Sequence, residues 1–138
     1  MRAAIIAGGS QKVSVLAKAV ARGLEKAGYQ VEILEAVAQQ TPKSMAPYDL
    51  VCVGSPVLGA IGGRIAPEVA EFVARCTRLE GKRAAAFVPI APLGTAKSIR
   101  ALMGELEKQG AHVVDFQALK GESEAEVFGL RLRPGELS

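Results

Sequence analysis

A chain of 138 residues suits a single domain, because a core of that size buries about two thirds of the surface its unfolded chain exposes. Its residues are 49% hydrophobic and only 4% aromatic, so the core has to be built from Ala, Val, Leu and Ile, and rings are scarce wherever a ligand would need one to stack on. The net charge of +3 comes from basic residues scattered through the chain, which excludes the clustered stripe of a nucleic-acid binder; no apolar run reaches the roughly 20 residues of a membrane span.

Met1-Arg2 passes straight into Ala3-Ala4-Ile5-Ile6 without signal-peptide architecture, so a cytoplasmic protein is expected. Ala3 to Ala7 reads as a buried first strand. Val13, Leu16, Ala17, Val20 and Leu24 follow at helical spacing, and Ala27-Gly28 closes that helix. Val31 and Ile33 alternate with Glu32 in a short, half-exposed second strand. From Ala36 to Pro47, Gln39-Gln40-Thr41-Pro42 and Ala46-Pro47 interrupt helix, so one or two turns at most are expected. Leu50 to Val53 forms the third strand. The next helix opens near Pro67, with Ile65, Val69, Phe72, Val73 and Cys76 as its apolar stripe.

Arg83 to Val88 reads as the fourth strand. A loop from Pro89 to Gly94 leads into a helix with Thr95 as N-cap, an apolar face of Ile99, Leu102, Met103 and Leu106, and Gly110 at its end. Val113 to Leu119 makes a fifth strand. Strands alternating with crossover helices predict an α/β parallel sheet in one domain, residues 1–138, with its core in 1–119. Residues 120–138 are glutamate-rich, and Phe128, Leu130 and Leu132 then alternate as in a strand. A tail of that kind would leave sheet surface uncovered, and a homo-oligomer or an exchanged C-terminal arm is expected to cover it.

Few side chains suggest chemistry by themselves. Cys52 and Cys76 lack the spacing of a metal site or redox dithiol and read as small apolar residues. His112 has no evident metal or nucleophile partner. Gly94-Thr95-Ala96-Lys97-Ser98 resembles the end of a nucleotide-binding P-loop, but Ala91 and Ala96 stand where that motif needs glycine. Arg64 reads as a solvated surface residue. No catalytic side chain and no metal ligand is nominated.

Two loops are more informative. Tyr48-Asp49-Leu50-Val51-Cys52-Val53 is an apolar strand running into Gly54-Ser55-Pro56-Val57-Leu58-Gly59-Ala60, and Gly8-Gly9-Ser10-Gln11 is a second glycine-rich turn from strand to helix. Together they resemble the flavodoxin family over Met1 to about Leu119. The resemblance implies a three-layer, doubly wound sheet of order 2-1-3-4-5, with ligand bound where the order reverses between strands one and three. It also implies FMN as cofactor. Gly8, Gly9, Ser10 and Gln11 would meet the phosphate, aided by free amides at the start of the first helix. Ser55, Pro56, Val57, Leu58, Gly59 and Ala60 would meet one side of the flavin; Ala91, Pro92, Leu93 and Gly94 would meet the other.

The family's phosphate loop has the form Thr/Ser-x-Thr-Gly-Asn-Thr and is longer than the turn here. Leu58 stands at the family's aromatic position, and Ile90 to Gly94 holds no Trp or Tyr. An isoalloxazine on aliphatic walls forgoes about 0.5 to 1.5 kcal/mol of ring stacking; Tyr29, Tyr48 or Phe128 donated by a second copy would restore it. The expected function is electron transfer or quinone-type reduction, with a redox protein or small-molecule acceptor as partner and with no nucleic acid or membrane. The alternative is a flavin-free interaction or regulatory domain of the same fold.

Overall fold

The computed structural model describes residues 1–37, 42–59 and 63–134. Five parallel strands, β1 (Arg2–Ala7), β2 (Gln30–Glu35), β3 (Leu50–Gly54), β4 (Arg83–Pro89) and β5 (His112–Leu119), form one sheet in the order β2-β1-β3-β4-β5. Helices α1 (Gln11–Lys26), α2 (Pro67–Arg75), α3 (Thr95–Lys108) and α4 (Glu122–Arg131) lie on its two faces. This is the expected α/β order 2-1-3-4-5.

The central strands are continuous apolar runs because both faces are covered, and alternate residues divide between two cores. Ile6, Val51, Val53, Ala84, Ala86 and Val88 pack with Val69, Phe72 and Val73 of α2 and Ile99, Leu102 and Leu106 of α3. Ile5, Leu50, Cys52, Ala85 and Phe87 pack with Leu16, Val20 and Leu24 of α1 and Phe128 of α4. Both cysteines are buried and free, and the loss of solvent pushes the Cys52 thiol up to about 12 and that of Cys76 to about 11.

The tail differs from its sequence pattern. Residues 122–131 form α4, not a strand, and this helix packs against α1. Three alternating apolar residues are too few to fix a period, and Ala125, Phe128 and Leu132, spaced i, i+3 and i+7, form the stripe that is buried. Glu122 and Glu124 suit the first turn of a helix. The Arg22 guanidinium bonds Glu122 and Glu126, Lys26 bonds Glu126, and Arg131 bonds Asp115 through both Nε and Nη2. The crossing is close, because a Cβ on Gly23 would lie 2.0 Å from the Glu126 carbonyl oxygen and one on Gly129 would lie 2.3 Å from that of Val20. An uncovered sheet face therefore gives no ground for an oligomer.

Two further expectations change. Tyr29, Tyr48 and Phe128 are 4%, 3% and 0% exposed, so none of these rings is available to a second copy. Thr95 opens α3 but does not cap it: Gly94 is the N-cap, at φ +81°, and the Thr95 hydroxyl donates to the Ala91 carbonyl at 2.9 Å. Residues 42–47 form no helix, within the expected limit of one or two turns; Ser44 bridges Thr77, and Tyr48 donates its backbone N–H to Met45. Gln39, Gln40 and Thr41 lie outside the described residues.

Tyr48 ties that connection to the sheet. Its hydroxyl donates to Glu32 Oε1, and the Arg2 guanidinium lies 5.4 Å from its ring centre. Burial, reinforced by the Glu32 carboxylate, pushes the phenol up to about 12. An unfolded tyrosine ionises near pH ~10, so this contribution is whole below that pH and is lost as pH rises towards 12. Urea midpoints measured from pH ~9 to ~12 should fall less steeply for Tyr48→Phe than for the parent chain.

Candidate functional site

The order of strands reverses between β1 and β3, so the loops after these strands share one crevice beyond their carboxyl ends. The first loop is short: β1 ends at Ala7 and α1 begins at Gln11. Gly8 is buried, and a Cβ there would lie 2.9 Å from the Ala36 carbonyl oxygen. Gly9 has φ +92°, and a Cβ on it would lie 2.7 Å from both Pro56 Cδ and Ala66 Cβ. Glycine is required there twice, for the backbone angle and for the contact. Ser10 is the N-cap of α1, its Oγ accepting the Val13 N–H at 3.2 Å. Gln11 lines a cleft of about 340 Å³ on the β2 side of α1, together with Ser14, Lys18, Ile33 and Glu35.

Ser55 is fully buried, and its hydroxyl donates to the Pro56 carbonyl at 3.0 Å and accepts the Ala66 N–H at 2.9 Å. It closes the loop from inside and is not presented to a ligand. Pro56 is buried against Gly9, whereas Val57 and Leu58 are half-buried on the apolar core. Leu58 and Arg64 exchange backbone hydrogen bonds at 3.0 and 3.4 Å, with Gly59 at φ +94° and Gly63 at φ +95° between them. Ala60, one of the expected site residues, lies outside the described residues, as do Ile61 and Gly62. Gly54 precedes this loop, and a Cβ on it would lie 2.3 Å from the Phe87 ring.

The hairpin is anchored to α3. Ser98 Oγ donates to the Arg64 carbonyl at 2.8 Å, and a Cβ on Gly63 would meet Lys97 Cβ at 3.2 Å. The loop after β4 is held by the Thr95 hydroxyl at Ala91 and leaves Ile90 43% and Leu93 62% exposed. Pro92 is also exposed, and Ala91 and Gly94 are half-buried.

The structure thus brings together Gly9, Pro56, Val57, Leu58 and Gly59, with the Ala91 to Gly94 loop carried by the helix that holds their hairpin. It turns Gly8 and Ser55 inward and Gln11 towards β2. Sequence reasoning missed Ala66 and Ser98. Ser98 had a signal, since a small polar residue one position before Ile99 and four before Leu102 belongs to the inward stripe of α3. A second cleft, about 460 Å³, lies at the amino end of the sheet between Ala46, Arg78, Glu80 and Lys82.

These residues fit a flavin mononucleotide in kind. The start of α1, without an acidic residue in its first turn, offers free amides to a phosphate. Val57 and Leu58 on one side and Leu93 on the other are aliphatic surfaces for a ring system. No helix among the described residues is long and apolar enough to cross a membrane.

No protein-family model and no curated protein matches the chain. Solved structures do. Flavodoxin 1 from Bacillus cereus superposes with a TM-score of 0.72 at 18% identity, over 94% of this chain and 95% of that one. A flavodoxin from the domain Archaea gives 0.73 at 17% identity, over 94% and 95%. The flavodiiron protein from Giardia intestinalis gives 0.70 at 19% identity, covering 94% of this chain and 34% of its own. At such identities the likeness is one of architecture, and it agrees with the strand order, the crossovers and the placement of α4: the chain has a flavodoxin-like fold.

Proposed function

We propose that this protein binds FMN at the carboxyl ends of β1, β3 and β4 and serves electron transfer or quinone-type reduction. The observation that carries this reading is the contact of Gly9 with Pro56. It puts the anion-accepting start of α1 beside the backbone of Val57 to Gly59, in the crevice where the strand order reverses. The amides of the first turn, with Lys12 next to them, would hold the phosphate, and Leu58 and Leu93 would flank the ring. The bound flavin would supply the redox chemistry, while the chain binds, orients and screens it from water. No side chain is assigned a proton-transfer role.

A flavin-free interaction domain is the second reading. It is favoured by the hydroxyls of Ser10 and Ser55, both engaged inside the protein. A titration with FMN, followed by flavin fluorescence and visible absorption with riboflavin as the phosphate-free control, separates the two. Saturable binding in the micromolar range, tighter for FMN than for riboflavin, is expected. Absence of binding up to about a millimolar, worth only ~4 kcal/mol, would leave the second reading.

A further inference from the structure

A helix start carries the positive end of the helix dipole, so acidic residues belong there and lysines do not. The helices α2 and α4 obey, with Glu68 in one first turn and Glu122 and Glu124 in the other. The helices that follow β1 and β4 do the reverse. Neither α1 nor α3 has an acidic residue in its first turn, and they carry Lys12 and Lys97 in those positions. Arg100 stands one turn beyond Lys97 on the same side of α3. Arg64 joins them, since its carbonyl accepts the Ser98 hydroxyl and its neighbour Gly63 packs on Lys97. All four side chains are exposed, and none forms an ion pair with a described residue. Of the other cations, Arg2, Arg22, Lys26, Lys108 and Arg131 are each paired with a carboxylate, whereas Lys18, Lys43, Arg78, Lys82, Lys120 and Arg133 are, like these four, without an ion pair to a described residue. It is their gathering around the starts of α1 and α3 that sets Lys12, Arg64, Lys97 and Arg100 apart.

Within this unpaired positive rim lie the exposed apolar side chains of Ile90 and Leu93. Of the acids at this end of the sheet, Glu68 belongs to α2, Glu35 lines the cleft on the far side of α1, and Glu122 and Glu124 open α4 beyond the edge strand β5, where Glu122 is paired with Arg22 and Glu124 accepts the Lys120 N–H. We propose that this rim is the docking face for an acidic electron-transfer protein, with Arg64, Lys97 and Arg100 steering the encounter, Ile90 and Leu93 forming the dry centre, and Lys12 kept for the phosphate. The proposal rests on the redox reading of the site. A small anion would be served by the start of α1 and Lys12 alone; Arg64 on its loop, Lys97 and Arg100 on α3 and two aliphatic side chains match the extent of a protein surface. Complementary charge of this kind raises the association rate and fades with salt.

An acidic [2Fe–2S] ferredoxin is a suitable probe, titrated by NMR line broadening against the flavin-free and the FMN-treated chain. Saturable binding at about 20 mM salt that weakens at least about tenfold by about 200 mM is expected. K97E/R100E should weaken it about tenfold, and R100E alone, which leaves the packing of Lys97 on Gly63 untouched, should weaken it to a smaller degree. K43E/R78E makes the same change of net charge beside the Ser44–Thr77 bridge, at the other end of the sheet, and should leave binding within about twofold. Equal losses in both double variants, binding indifferent to salt, or no saturable binding would overturn the proposal. Ferredoxin binding that survives a failed FMN titration would remove the redox reading and keep the face; the opposite pattern would remove the face alone.

Discussion

Gly23→Ala should lower the urea midpoint by the equivalent of about 3 kcal/mol, the upper end of what overpacking usually costs. The added methyl would lie 2.0 Å from the Glu126 carbonyl oxygen and 2.7 Å from the Leu130 amide nitrogen. Both are backbone atoms of α4, so no side-chain rotation relieves the contact, and the helices have to part. Parting them loosens Phe128 and Leu132 from the core and stretches the ion pairs of Arg22 and Lys26. The melting temperature should drop by roughly 10 °C for a domain of this size. Gly129→Ala, whose methyl would lie 2.3 Å from the Val20 carbonyl oxygen, should act alike. Once the helices are apart a second methyl adds little, so the double variant should lose much less than the sum. Additive losses would mean that the two glycines are not parts of one crossing.

Gly9→Ala is the second large effect, and it links stability to the site. Alanine at φ +92° is strained by about 1 to 2 kcal/mol, and its methyl would press on Pro56 and Ala66 at 2.7 Å. A combined loss of about 3 kcal/mol is expected, read from the urea midpoint. Ala66 bonds Ser55, and Pro56 begins the shelf, so moving either one shifts the loop relative to the start of α1. FMN should then lose its advantage over riboflavin, since the phosphate and the ring would no longer be met at the same spacing. An unchanged preference for FMN in a destabilised Gly9→Ala would place the phosphate away from this turn.

The layout of the sheet was legible in the chain because period and punctuation agree. Unbroken apolar runs at Ala3, Leu50 and Arg83 mark doubly covered strands, and Gly28, Pro67 and Gly110 stand where helices stop or start. The tail is ambiguous in sequence because Phe128, Leu130 and Leu132 satisfy both periods over so few residues; what decides is a partner surface on α1 made by Gly23, far away along the chain and invisible to any local pattern. The inward side chains were equally hidden. Ser55 and Ser98 look alike to a ligand-binding serine in sequence, and only the distances to Ala66 and Arg64 show that each fastens a loop. Thr95 was mistaken for a cap because Gly94 supplies the turn and leaves the hydroxyl free to reach Ala91.

The helix that covers α1 is synthesised after α1 and after all five strands of the sheet. Until residues 122–132 have left the ribosome, Val20, Leu24 and Phe87 lack the cover of Phe128, and the Tyr29 hydroxyl lacks its acceptor at Leu132. The nascent chain therefore spends its elongation with a greasy seam open, a natural stopping place for a holdase chaperone. Residues 122–132 act as a latch, and a stalled or clipped product without them should be cleared as misfolded rather than persist as a smaller working domain.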